Sequence, residues 1–130
     1  MFYTGYDVTL QFVEHAQRAF PGYQFICGNP LAELTKQFDV VYCRHVIEHQ
    51  EPEHSYDGFR NLLKMAGELA VVVWFCTPRS VETFKWVATD GMGAWVNTLD
   101  KDRLAGIIAE QGFSLEVRSN SVYIMRRVKT

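Results

Sequence analysis

Phe38-Asp39-Val40-Val41-Tyr42-Cys43-Arg44-His45-Val46-Ile47-Glu48-His49 begins as a strand and ends in a cluster of side chains that can do chemistry. Phe38 to Cys43 is an aromatic and β-branched run of strand length, so it reads as a buried strand. Arg44 to Glu51 reads as a loop. Pro52 then suits the first turn of a helix that buries Tyr56, Phe59, Leu62 and Leu63 at helical spacing. Glu68 to Phe75 is a continuous apolar strand, the pattern of a sheet covered on both faces. A strand, a helix and a second strand in this order make one right-handed parallel unit.

The same alternation extends in both directions. Upstream, Phe2 to Tyr6 reads as a short strand. Thr9 is a plausible N-cap for a helix carrying Val13, Ala16 and Phe20, stopped by Pro21-Gly22. Tyr23 to Cys27 is a second strand, closed by Gly28-Asn29-Pro30, and Leu31 to Lys36 reads as a short helical or turn segment. Downstream, Val81 to Val87 reads as helix and Thr89 to Thr98, with Gly91-Met92-Gly93, as loop. Asp100 N-caps a last helix with Leu104, Ile107 and Ile108 inward and Gly112 as its stop. Phe113 to Arg118 and Ser121 to Met125 read as an antiparallel hairpin about Ser119-Asn120. The expected fold is α/β, a Rossmann-like, doubly wound and mainly parallel sheet of about six strands ending in a C-terminal antiparallel hairpin.

The 130 residues suffice for one domain, residues 1–130. Hydrophobic residues at 48% exclude a disordered chain, and a net charge of −2 argues against a broad nucleic-acid or anionic-membrane surface. Small-molecule ligands are not excluded. Cys27, Cys43 and Cys76 are odd in number and widely spaced, which suits reduced thiols in a cytoplasmic protein. The N-terminus has no signal-peptide pattern, and the longest apolar run, Leu69 to Cys76, is far shorter than a membrane span.

Tyr3-Thr4-Gly5-Tyr6-Asp7-Val8-Thr9, the Phe38–His49 stretch, Leu62-Leu63-Lys64-Met65-Ala66-Gly67-Glu68-Leu69 and Leu104 through Gly112-Phe113 together carry a resemblance. They resemble the class I S-adenosylmethionine-dependent methyltransferases, of the small-molecule type that includes the ubiquinone-pathway O-methyltransferases. The resemblance implies S-adenosylmethionine as cofactor and methyl transfer to a small-molecule acceptor. It implies Asp7, with Val8, at the cofactor ribose, and Gly28, Asn29 and Pro30 at the adenine. Arg44 and His45 would line the methionine side. His45 and His49 are the candidate catalytic bases, since histidine is the side chain suited to proton transfer near neutral pH. Thr77 to Asn97 would recognise the acceptor.

Each assignment has a structural alternative. Asp7 also suits a helix-entry acid beside Thr9, and Asn29 a turn residue before Pro30. His45, Glu48 and His49 can simply shape a loop. Trp74, Phe84, Trp86 and Trp95 can face a substrate or pack in the core. The stretch from His45 to His49 also matches H-x-x-E-H, a zinc-peptidase motif that requires a helix of several turns, whereas here it follows a strand. An E-x-x-E-H divalent-ion motif is approached too, but His45 replaces the oxygen ligand that magnesium prefers.

Against the family pattern the chain begins one β-loop-α unit late, with no counterpart of the E/D-x-G-x-G-x-G cofactor loop. It therefore reads as N-terminally truncated relative to the family. Three outcomes stay open. The chain is an active methyltransferase, a catalytically inactive binding or assembly domain (or half of a two-chain enzyme), or a truncated product without activity. The strand order then implies either a six-stranded sheet closed by pairing Phe2–Tyr6 with Phe38–Cys43, or a homodimer or partner chain that fills the gap.

Overall fold

The computed structural model describes residues 2–32 and 36–129. Half of the Leu31–Lys36 segment expected to be helix or turn, residues 33–35, lies outside them. The centre of the molecule is a four-stranded sheet in the order β3-β4-β8-β7, built from β3 (Phe38–Arg44), β4 (Ala66–Val73), β7 (Phe113–Ser119) and β8 (Val122–Arg127). β3 and β4 run parallel, with Cys43 opposite Val72 and Arg44 opposite Val73, while β8 pairs antiparallel with both β4 and β7.

Strand alternation decides which face carries the core. Val41 and Cys43 of β3, Ala70 and Val72 of β4, and Tyr123 and Met125 of β8 are all buried. They meet α2 (Pro52–Met65) and α3 (Lys101–Glu110), which bring Phe59, Leu62, Leu63, Leu104, Ile107 and Ile108. Pro52 does start α2, and the Asp100 carboxylate caps α3 by accepting from the backbone N–H groups of Asp102 and Arg103. Gly112 leaves α3 at φ +77°, a conformation glycine adopts without strain. The opposite face of the sheet is not covered to the same degree, since Val40 and Tyr42 are 56% and 62% exposed. The apolar content of β3 and β4 had suggested cover on both sides. No helix among the described residues is long and apolar enough to cross a membrane.

Two regions depart from the expected arrangement. The first is β1 (Thr4–Asp7) and β2 (Gln24–Cys27), joined by α1 (Leu10–Ala19). Among the described residues they pair with each other in parallel and with no other strand, so the closed six-stranded sheet does not form. The reason is offset. Tyr6 near the end of β1 meets Phe38 at the start of β3, edge to face at 6.2 Å, whereas a parallel ladder needs strand beginnings side by side. β1 and β3 each keep an unpaired edge. α1 buries none of its residues, and Thr9 starts it without a side-chain cap; the Asp7 carboxylate accepts the Thr9 N–H at 2.8 Å instead.

The second is the segment expected to be helix and then loop. It is the antiparallel pair β5 (Thr83–Thr89) and β6 (Met92–Thr98). Asp90 and Gly91 both have positive φ, 52° and 77°, which is the backbone of a two-residue hairpin turn matched to strand twist. Trp86 pairs with Trp95 across the hairpin, ring centres 5.4 Å apart, and its ring lies where a side chain on Gly93 would sit. The described residues therefore form eight strands in three sheets, not six in one.

Candidate functional site at the ends of the parallel strands

The carboxyl ends of β3 and β4 lie side by side. In open α/β sheets this is the edge where ligands bind. At the end of β3 the chain turns sharply. His45 holds φ at 52°, a left-handed conformation that is uncommon for a non-glycine residue, while its N–H still reaches the Val73 carbonyl at 2.9 Å. A single 3-10 turn, Ile47–His49, follows. H-x-x-E-H needs a long helix to place both imidazoles on one face, so this backbone overturns the zinc-peptidase reading. Among the described residues, the cluster with metal-ligand spacing is the exposed Glu51, Glu53 and His54, not this motif.

The turn gathers His45 and His49 around Phe75, at 5.6 and 5.7 Å between ring centres. His49 Nδ1 lies 2.8 Å from the carbonyl oxygen of Trp95, on β6. A carbonyl can only accept, so in the neutral ring Nδ1 carries the hydrogen and Nε2 keeps its lone pair. Glu48, between the two histidines in the chain, is 1% exposed. One carboxylate oxygen, Oε2, accepts the Phe75 N–H at 3.0 Å, and Oε1 is buried without a partner among the described residues. Burial pushes the Glu48 carboxyl above its ordinary range, outweighing the Phe75 N–H and His49, which pull it down. Burial likewise pushes the Cys43 thiol up to about 12, helped by Glu48, and raises Cys76. Both thiols are held protonated and are poor nucleophiles.

A carboxyl raised on folding contributes stability that is complete below its unfolded value, near 4.3, and is lost as pH rises through its folded value. Glu48→Gln keeps a carbonyl for the Phe75 N–H and removes the ionisation. The variant should therefore gain thermal stability relative to the wild type as pH climbs from acid to neutral. Melting curves of the two proteins across that range check this, and a constant difference in melting temperature would overturn it.

Beyond Phe75 the end of β4 opens on a cavity of about 650 Å³ lined by Cys76, Thr77, Arg79, Ser80 and Thr98 among others. Thr77, Arg79 and Ser80 fall in the Thr77–Asn97 segment that the resemblance gave to acceptor recognition. Trp74 is buried, in edge contact with Tyr123, and so is a packing residue, whereas Trp86 stands 54% exposed on the β5–β6 hairpin.

The other sequence-derived residues sit elsewhere. Gly28, Asn29 and Pro30 line a smaller cavity of about 170 Å³ with Tyr6, Phe38 and Met65. Asp7 ends β1 nearby, its carboxylate on the Thr9 N–H, and Asn29 Oδ1 accepts the Leu31 N–H at 3.1 Å. Val8 is exposed. This donor set suits an adenosyl group. A carboxylate oxygen not used by Thr9 can accept ribose hydroxyls, an amide can meet an adenine edge, and apolar walls can flank the base. Arg44 and His45 do not join it. They lie at the far end of β3 from Phe38, six residues or about 20 Å away at the strand rise. Sequence reasoning placed Glu48 in the loop but missed its burial, and it missed the Trp95 carbonyl on a segment read as loop.

Residues 1–71 match the methyltransferase domain family. No curated protein matches the sequence. Among solved structures, magnesium protoporphyrin IX methyltransferase from Synechocystis with bound S-adenosylmethionine superposes with a TM-score of 0.70 at 17% identity, over 98% of this chain and 60% of that one. An amino pentose methyltransferase from Micromonospora echinaspora, also holding S-adenosylmethionine, gives 0.71 at 10% identity, over 98% and 74%. A 1,6-didemethyltoxoflavin-N1-methyltransferase from Burkholderia thailandensis, with its substrate and S-adenosylhomocysteine, gives 0.63 at 14%, over 97% and 61%. The chain thus spans less than two thirds of the first and third of these proteins, and at such identities the likeness is one of fold. The family match covers more than half of the sequence and includes β1 to the middle of β4, so this chain belongs to the methyltransferase domain family.

Proposed function

We propose that the chain acts as an S-adenosylmethionine-dependent methyltransferase on a small-molecule acceptor, in the cytoplasm. The observation that carries this reading is the pairing of His49, its Nε2 lone pair free, with an open cavity that shares the Phe75 wall at the carboxyl ends of β3 and β4. When bound, the cofactor supplies an activated methyl group. Asp7 would accept the ribose hydroxyls, Val8 would flank them, and Gly28, Asn29 and Pro30 would border the adenine. Arg44 and His45 would face the methionine side. His49 takes the proton that the acceptor gives up, with His45 as the alternative base across Phe75.

Asp7 and Arg44 belong to one site only if the ends of β1 and β3 come level. A strand inserted between them, parallel to both, would pair both free edges and set that register. The proposal assigns this strand to a second polypeptide, either another copy of the chain or a different partner. Light scattering would then find an assembly larger than one chain.

Calorimetry with S-adenosylhomocysteine tests the cofactor site. Asp7→Ala removes the ribose acceptor, and losing hydrogen bonds to a charged group should weaken binding by roughly 10- to 100-fold. A catalytically inactive binding domain is the second reading. It is favoured by the hydrogen bonds that Asp7 and Asn29 already make to Thr9 and Leu31. Absence of binding at millimolar ligand would leave that reading in place of the first.

A further inference from the structure

We propose that Arg79 anchors an oxyanion of the acceptor, a carboxylate or phosphate on a small and partly apolar molecule, in the cavity beyond β4. The inference rests on the methyltransferase reading for its chemistry but on separate residues for its binding. Arg79 lines that cavity, and its side chain has no ion pair or hydrogen bond among the described residues. Its backbone is fixed. The Arg79 N–H donates to the Leu99 carbonyl at 3.0 Å, and its carbonyl accepts from Lys101 at 2.8 Å. The exposed side chain is therefore carried on a fixed backbone, so binding a ligand has only the side chain to order.

Among the described residues no acid forms an ion pair with it. Glu82 accepts from the Tyr56 hydroxyl at 2.6 Å, and the Asp100 carboxylate caps α3. Glu48 is buried behind Phe75 with one oxygen on a backbone N–H. No carboxylate lines the cavity itself; beside Arg79 it offers the hydroxyls of Thr77, Ser80 and Thr98 and the exposed ring of Phe75. One guanidinium, several hydroxyl donors and one aromatic wall make a site for an anion attached to an apolar body. Phe75 is also the ring between His45 and His49. A molecule lying along it would hold its anion at Arg79 and its reacting group toward the histidines.

Titration calorimetry with phenylacetate, phenyl phosphate and the neutral phenylacetamide tests this on the wild-type chain. At least one anion should bind at millimolar concentration, about 10-fold or more tighter than the amide. The tighter of the two anions identifies the oxyanion. Arg79→Met should abolish the preference for anions, and Arg79→Lys should keep part of it, since the charge survives and the fork does not. Matching melting temperatures would show that the variants are folded. Equal binding of anion and amide, no binding of any probe, or an Arg79→Met variant that keeps the preference would overturn the proposal. S-adenosylhomocysteine titrated in parallel into the wild type reads out the methyltransferase assignment separately. Failure there with anion binding intact removes the reaction and leaves the site.

Discussion

Phe59→Ala should cost the fold about 3–5 kcal/mol, the range for emptying a buried phenylalanine site. Phe59 is 0% exposed, lies mid-way along α2, and stacks at a tilt on Trp74 with ring centres 6.0 Å apart. Trp74 in turn meets Tyr123 of β8. Removing the ring therefore opens a cavity where helix, β4 continuation and β8 converge, and neighbours this large cannot collapse into it cheaply. Domains of this size are stable by roughly 5–15 kcal/mol, so the loss is a large share of the total. Urea denaturation should show it as a lower midpoint at unchanged slope. Phe12→Ala is the control. Phe12 is 65% exposed on α1, and its removal should change stability by no more than about 0.5 kcal/mol. Equal losses in the two variants would mean that the core does not sit where burial places it.

The contrast between Phe59 and Phe12 also marks what the sequence could reveal about the fold. Helix α2 and strands β3 and β4 carry their own local evidence. Pro52, an apolar stripe and two β-branched runs all favour the structure they adopt. Asp100 and Gly112 similarly bound α3 by interactions within a few residues. The β5–β6 hairpin also had a local signal, Asp90-Gly91, but the helical reading of residues 81–87 and the second glycine, Gly93, obscured it. The break between β1 and β3 had no such signal. Which strands pair at a sheet's centre depends on contacts far apart in the chain, and Tyr6 and Phe38 each look like ordinary strand residues.

The candidate site divides along the same line. Asp7, Asn29 and His45 sit at strand ends, where short-range rules place polar residues, and they were legible. What fixes their chemistry was not. A glutamate between Ile47 and His49 gives no hint that it is buried against the Phe75 N–H, because that partner lies 27 residues on. The same holds for His49, whose tautomer is set by a carbonyl 46 residues away.

That bond makes His49 the side chain with the largest expected effect on turnover. His49→Ala should lower kcat by about 10²- to 10⁴-fold, the usual contribution of a positioned general base, with S-adenosylhomocysteine affinity close to the wild-type value. The measurement is release of S-adenosylhomocysteine with 4-hydroxyphenylacetate as acceptor, which carries both an anion for Arg79 and a hydroxyl to be methylated. His49→Gln separates base from spacer. Glutamine can still donate to the Trp95 carbonyl and hold the turn against β6, but it has no lone pair of imidazole basicity to take a proton. If His49 takes the proton, both variants fall together and raising the pH restores part of the rate, because hydroxide or an ionised acceptor does the work of the missing base. If His49 only shapes the loop, His49→Gln keeps the wild-type rate while His49→Ala loses it along with stability. Wild-type turnover in both variants would move the base to His45, on the opposite side of Phe75.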